Sequence, residues 1–144
     1  MVADSRRPVL LHGVENANGE RLGGEFFDLV RGDPVEADRV VGYSRFHPTD
    51  DADDDPTAVG MIGSIYTLPE VWGGTGVGKA LMAEVVGSLA RAGYAEATLW
   101  VLEGNDRAQD FYRGQGWSKD GSMIEDRSDG FLITKARYRR PLPA

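Results

Sequence analysis

The sequence predicts an α/β fold, a mixed, mostly antiparallel sheet with one parallel strand–helix–strand unit at its centre and flanking helices. Three observations carry this expectation. Ala58 to Leu68 (AVGMIGSIYTL) is apolar on both of its alternating faces, as a central strand is. Gly78 to Ala92 repeats apolar residues at helical spacing. Ala97 to Leu102 (ATLWVL) is short and continuously apolar, which fits a strand covered on both sides. A helix joining two such strands lets them lie side by side and run the same way.

The remaining elements follow along the chain. In residues 1 to about 38, Gly13, Gly19, Gly23, Gly24 and Gly32 interrupt every pattern. Only Glu25 to Arg31 (EFFDLVR) is regular, as a short strand or as the last turns of a helix ending at Gly32-Asp33-Pro34. Arg39 to Phe46 (RVVGYSRF) is β-branched and aromatic and reads as a strand. The polar stretch His47 to Thr57 then makes a hairpin with the strand that starts at Ala58. In the long helix Leu81, Val85 and Leu89 form a stripe widened by Met82, Val86 and Ala90, and Gly93 stops it. Asn105 offers an N-cap to a second helix, Asp106 to Arg113, which ends at Gly114 or Gly116. Last, Phe131 to Arg139 alternates a dry face (Leu132, Thr134, Ala136, Tyr138) with a wet one (Lys135, Arg137, Arg139).

Length and charge narrow the function. A chain of 144 residues suits one domain, 1–144, and can bury roughly 70% of its unfolded surface without a metal or disulfide to help. With no cysteine, thiolate catalysis and thiolate zinc sites are excluded. A net charge of −7 disfavours nucleic acid, which needs a positive field. Five of the negatives, Asp50, Asp51, Asp53, Asp54 and Asp55, sit together, and without them the net charge is −2. That run is read as a solvated hairpin tip rather than a calcium loop, because Pro56 replaces the turn glycine and Ile62 stands where a bidentate Glu is needed. His12 and His47 have no partner at ligand spacing and read as surface histidines, so no metal is expected. Trp72, Trp100 and Trp117 fit packing roles. No apolar run approaches the roughly 20 residues of a membrane span, and Val9 to Leu11 is too short for a secretory core. The expectation is a cytoplasmic protein with no membrane partner.

The segment joining the central strand to the long helix is Gly73-Gly74-Thr75-Gly76-Val77-Gly78-Lys79. Glycines let backbone approach a ligand closely, and a helix start presents free N–H groups and a positive dipole end, so the segment reads as a phosphate cradle. It matches the nucleotide P-loop up to its last position, where Ala80 stands in place of the Ser or Thr that would hold magnesium. The dinucleotide pattern fails too, because Gly74, Gly76 and Gly78 recur at every second residue.

LPEVWGGTGVGKALM (68–82) and LWVLEGNDRAQDFYRGQGW (99–117) together resemble the GNAT superfamily of acetyl-CoA-dependent N-acetyltransferases. The first is similar to the family's pyrophosphate loop, Arg/Gln-x-x-Gly-x-Gly/Ala. The second is similar to Leu-x-Val-x-x-x-Asn-x-x-Ala-x-x-Phe-Tyr-x-x-x-Gly-Phe/Trp, through Leu99, Val101, Asn105, Ala108, Phe111, Tyr112, Gly116 and Trp117. The resemblance spans about 39–139 as an acetyltransferase core, with 1–38 a poorly matched and shortened N-terminal part.

The resemblance implies acetyl-CoA as co-substrate and an acetyl group passed directly to a primary amine on a small molecule or peptide. Gly73, Gly74, Thr75, Gly76, Val77, Gly78 and Lys79 would hold the pyrophosphate. Backbone at Tyr66, Thr67 and Leu68 would pair with the pantetheine arm, and Asn105 would contact the arm as well as cap its helix. Tyr112 would protonate the departing thiolate, work a phenol can do while neutral. Met61 stands where relatives often carry a Glu on the central strand, which leaves a water relay or one of Tyr66, His47, Glu20 and Glu25, unranked, as the base, while an amine arriving already neutral would need none. The alternative function is a non-catalytic CoA-binding or interaction module, and the oligomeric state, monomer or homodimer, is open.

Overall fold

The computed structural model describes residues 9–12, 26–31, 40–67, 76–127 and 130–143. Within them, seven strands build one sheet: β1 (Val9–His12), β2 (Phe26–Arg31), β3 (Val40–Pro48), β4 (Val59–Thr67), β5 (Glu96–Leu102), β6 (Ser118–Asp126) and β7 (Ile133–Pro141). Their order is β1-β2-β3-β4-β5-β7-β6. Helix α1 (Val77–Arg91) connects β4 to β5, and α2 (Asp106–Gly114) follows β5. All neighbours are antiparallel except β4 with β5, the expected parallel pair.

The stripe read on α1 is the buried one. Leu81, Met82, Val85, Val86 and Leu89 are all buried. Most of them join one cluster with Phe46, Ile62, Ala97, Leu99, Val101, Trp117, Ala136 and Tyr138 from the sheet and from the end of α2. α1 therefore lies across the middle of the sheet, and β5 is dry because the helix covers it. The segment that was open between strand and helix is strand β2, which pairs with β3 from Phe26–Phe46 to Arg31–Val40.

Two strands escaped the sequence reading. β1 is a four-residue edge strand, too short to show a period. β6 is the other edge, exposed along nearly its whole length, with an irregular register between Lys119 and Met123 and a positive φ at Gly121, so no alternation marks it. β7 starts later than the alternation suggested, at Ile133, and Leu132 is exposed rather than on a dry face.

The larger correction concerns charge. Arg137 is not on a wet face: it is buried at 4% exposure, and its guanidinium lies 5.5 Å from the centre of the Trp100 ring on β5. The acidic run is a solvated tip only in part, at the exposed Asp50 and Asp55. Arg137 donates to Asp51, Asp53 and Asp120, and Arg139 donates to Asp54, Asp120 and Glu96. Trp100 Nε1 adds a 3.2 Å bond to Asp51. The β3–β4 loop is therefore strapped to β7 and β5 on the face opposite α1. The carboxylates of Asp51, Asp53 and Asp54 come within 4.8 Å of one another, and each pairs with the guanidinium of Arg137 or Arg139, so the cluster is an ion-pair network. The strong hydrogen bond from Arg137 holds the Asp53 carboxyl down to about 2, and the same bond pushes the arginine above its ordinary range.

Among the described residues no helix is long and apolar enough to cross a membrane.

Candidate active site

β4 and β5 pair only at Val59–Glu96, Gly60–Ala97 and Met61–Thr98. Beyond these pairs β5 stays with β7 as far as Leu102–Lys135, while β4 stays with β3 as far as Thr67–Gly42. The two central strands therefore part, and Ile62 to Thr67 faces the gap with no partner on β5. A bulge contributes to the divergence. Pairing between β3 and β4 steps from Phe46–Ile62 to Arg45–Ser64, which leaves Gly63 unpaired, and such an insertion bends and twists its strand.

The gap is a cleft of about 340 Å³ walled by Ile62, Gly63, Ser64, Ile65 and Tyr66 of β4, Leu99 and Trp100 of β5, Tyr43 of β3 and Tyr112 of α2. No charged side chain is in that wall among the described residues. The rings of Tyr43 and Tyr66 stand 5.9 Å apart on one side. Unpaired strand backbone in an uncharged slot suits an extended, amide-bearing chain, which can bond to it as another strand would.

Tyr112 reaches the cleft because α2 is held against the sheet. Asn105 Oδ1 caps the helix by accepting from the Ala108 N–H at 3.2 Å, as the sequence indicated. The buried Tyr138 hydroxyl of β7 donates to Gln109 at 3.0 Å, and the Tyr112 ring lies 6.3 Å from that of Tyr138. Burial pushes the Tyr112 hydroxyl up to about 12, so it stays protonated throughout the working pH range. No described side chain takes up its hydrogen-bonding capacity.

The start of α1 sits beside this wall. Gly76 is the N-cap residue with φ at +80°, a left-handed conformation that favours glycine, and no side chain caps the helix. The first turn carries no acidic residue that would repel an anion. A Cβ on Gly78 would meet the Phe111 ring at 3.4 Å, so the cradle and the helix of Tyr112 are in direct contact. Lys79 is exposed on the same turn. Leu68, Gly73, Gly74 and Thr75 lie outside the described residues, as do Trp72 and the base candidates Glu20 and Glu25.

The sequence-based site thus divides. Tyr66 and Tyr112 line the cleft, and Gly76, Val77, Gly78 and Lys79 form the adjoining helix start. The Thr67 side chain is turned towards Gly42, whose added Cβ would lie 3.0 Å from its methyl, while its backbone has no partner on β5, and Asn105 caps α2 without lining the cleft. Sequence reasoning missed Tyr43, Ser64 and Trp100 as wall residues. Tyr43 could have been found by pairing the hairpin strands, since it lies directly opposite Tyr66. Met61, the expected carboxylate position, is a buried apolar side chain paired with His47.

An acetyltransferase (GNAT) family model matches residues 15–117, which include the whole cleft wall and the α1 cradle. The chain belongs to the GNAT acetyltransferase family. It is 31% identical over 106 residues to a mycothiol acetyltransferase of Kocuria rhizophila, a match covering 69% of this chain and 34% of that one. It is 34% identical over 84 residues to an uncharacterized N-acetyltransferase of Mycobacterium tuberculosis, covering 58% and 49% respectively. The chain thus spans about a third to a half of the length of these curated relatives. In fold, a GNAT family acetyltransferase from Elizabethkingia anophelis solved with acetyl-CoA bound superposes with a TM-score of 0.69 at 10% identity, over 92% of this chain and 98% of that one. The GNAT fold is thereby established, with its parallel pair at β4 and β5.

Acetyl-CoA fits the residues that are present. The cleft is uncharged, its β4 wall offers unpaired backbone, and an uncapped helix start free of carboxylates adjoins it.

Proposed function

We propose that this chain catalyses transfer of an acetyl group from acetyl-CoA to a primary amine by direct attack, as one domain. The observation that carries the reading is the parting of β4 from β5 with Tyr112 in the wall between them. Bound acetyl-CoA would supply an activated thioester. Gly76, Val77, Gly78 and Lys79 would hold the pyrophosphate through backbone N–H groups, with Gly73, Gly74 and Thr75 leading into them. Tyr66, Thr67 and Leu68 would offer strand backbone to the pantetheine arm, and Asn105 would steady the far end of β5. Backbone N–H near Tyr66 would receive the charge that develops on the carbonyl oxygen. Tyr112, kept protonated by burial, would donate to the departing sulfur.

Because its hydroxyl at about 12 is a weaker acid than an ordinary thiol near 8.5, full proton transfer to sulfur is uphill. Tyr112 would therefore act first as a hydrogen-bond donor, and its proton would move only as the carbon–sulfur bond breaks. The cleft is uncharged and partly aromatic, which supports a small or peptide-borne amine as acceptor. The buried Met61 at the place of a carboxylate supports a second reading, a CoA-binding module without turnover. Thiol release from acetyl-CoA, screened across simple amines, amino acids, peptides and aminoglycosides, separates the two. Release with at least one amine is expected, and CoA binding without release for any of them would favour the module.

A further inference from the structure

With Met61 apolar, the proton of an incoming ammonium needs another acceptor, and one histidine stands beside the place where the central strands separate. We infer that His47 is the base that deprotonates the acceptor amine, an assignment that rests on the transferase reading above.

Four observations bear on it. His47 pairs with Met61, and Met61 with Thr98, the last register before β4 and β5 part. Its Nδ1 lies 2.7 Å from the Pro48 carbonyl oxygen, which can only accept, so Nδ1 carries the proton and Nε2 keeps its lone pair. Nε2 overhangs Gly63, a residue of the cleft wall, so closely that an added Cβ there would lie 2.8 Å from it. Finally, the His47 side chain is 12% exposed, so packing fixes the direction of that lone pair. Glycine at the bulge is thus what lets the imidazole lie directly against the cleft wall.

Two charged groups face the ring among the described residues. Arg45 Nη2 lies 2.8 Å from the same point above Gly63. Asp50 Oδ2 lies 3.8 Å from Nδ1. On β4 the neighbours Met61 and Gly63 carry no charge.

The proton count closes. His47 Nε2 takes one proton from the ammonium, directly or through one water, and later gives it to solvent. The freed nitrogen lone pair forms the new carbon–nitrogen bond as the carbon–sulfur bond breaks. Tyr112 gives its proton to sulfur and is refilled by the second proton leaving the nitrogen.

The test compares pH profiles of kcat/KM for the wild type and His47→Gln, using the amine of the screen above that gives the fastest release. With the base present the profile should be level from about pH 8 up to the amine's own pKa, near 10.4 for a lysine-like amine. Without it only amine that is already neutral reacts, so the variant should be about 10²-fold slower near pH 8 and gain tenfold per pH unit until it meets the wild type. Gly63→Ala, which displaces the ring while retaining the histidine, should give the same profile. A second readout needs no turnover: long-range proton–nitrogen spectra of the free protein should show neutral His47 protonated on Nδ1. A variant slowed equally at every pH, or a neutral ring protonated on Nε2, overturns the assignment. A wild type that releases no thiol with any amine overturns the transferase reading itself, and the base with it.

Discussion

Arg137 of β7 grips Asp53 of the β3–β4 loop with two parallel contacts, Nη1 to Oδ1 at 2.8 Å and Nη2 to Oδ2 at 2.7 Å. Its Nε is taken by Asp120 at 2.6 Å, so one buried guanidinium fastens both the loop and the start of β6 to the sheet. The loop in turn covers Trp100, a wall of the cleft.

Removing that cation should therefore unfold the strap. Arg137→Leu leaves Asp51, Asp54 and Asp120, each at most 20% exposed, facing one another without their shared counter-charge. Breaking a buried pair from one side costs about 3 kcal/mol, roughly 10 °C of melting temperature in a domain of this size. Lys135→Leu, on the same strand but outside the network, should stay within about 0.5 kcal/mol. Calorimetry on both variants checks the contrast, and equal melting points would dismiss the strap.

The same pair makes a pH prediction. Asp53 is held at about 2 when folded against 3.8 otherwise, so between those values the unfolded chain binds more protons and stability rises with pH. The stabilisation is complete above about pH 5 and is lost as pH falls towards 2. The melting-temperature gap between wild type and Asp53→Asn should accordingly be widest at neutral pH and close near pH 2. A gap that is constant over this range would mean that the contact is not ionic.

At the helix start, Gly76→Val puts a β-branched side chain at a φ of +80° and should weaken CoA binding by about 5- to 30-fold by calorimetry, matching the roughly 1–2 kcal/mol that a left-handed L-residue costs. Gly78→Ala is the control: its Cβ would sit at ordinary contact distance from Phe111, and the variant should fold normally. Unchanged CoA affinity in a folded Gly76→Val protein would reject this turn as the pyrophosphate cradle.

How far the sequence could be read depended on periodicity. α1, β4 and β5 were legible because each buries a face or a whole strand, and burial writes a pattern into the residues. β6 left no pattern because an exposed edge strand imposes none. Arg137 and the aspartates were misread for a different reason: a buried arginine and a solvated one look alike in sequence, and only the fold brings position 137 beside positions 51 to 54. Within the site, Tyr112 and the glycine turn were found through local motifs. Tyr43, Ser64 and Trp100 line the cleft through strand pairing between distant segments, which no local motif records.

Tyr112→Phe keeps the ring beside Phe111 and Tyr138 and removes only the hydroxyl, so folding should be unaffected. Turnover should fall by about 10²–10⁴-fold with acetyl-CoA affinity little changed, provided that chemistry limits the rate. Because the hydroxyl titrates only at about 12, the wild type should show no alkaline loss through pH 10.5 that the variant lacks. A decline centred near pH 10 in wild type alone would place the hydroxyl in a more polar setting than the cleft wall.

The most direct test of the account is a titration of the protein with CoA, followed by amide nitrogen–proton spectra. The cleft between β4 and β5 predicts shifts concentrated at Ile62 to Thr67, at Leu99 and Trp100, and at Gly76 to Lys79, with β6 unmoved. Shifts confined to other strands, or none at saturating CoA, would contradict it.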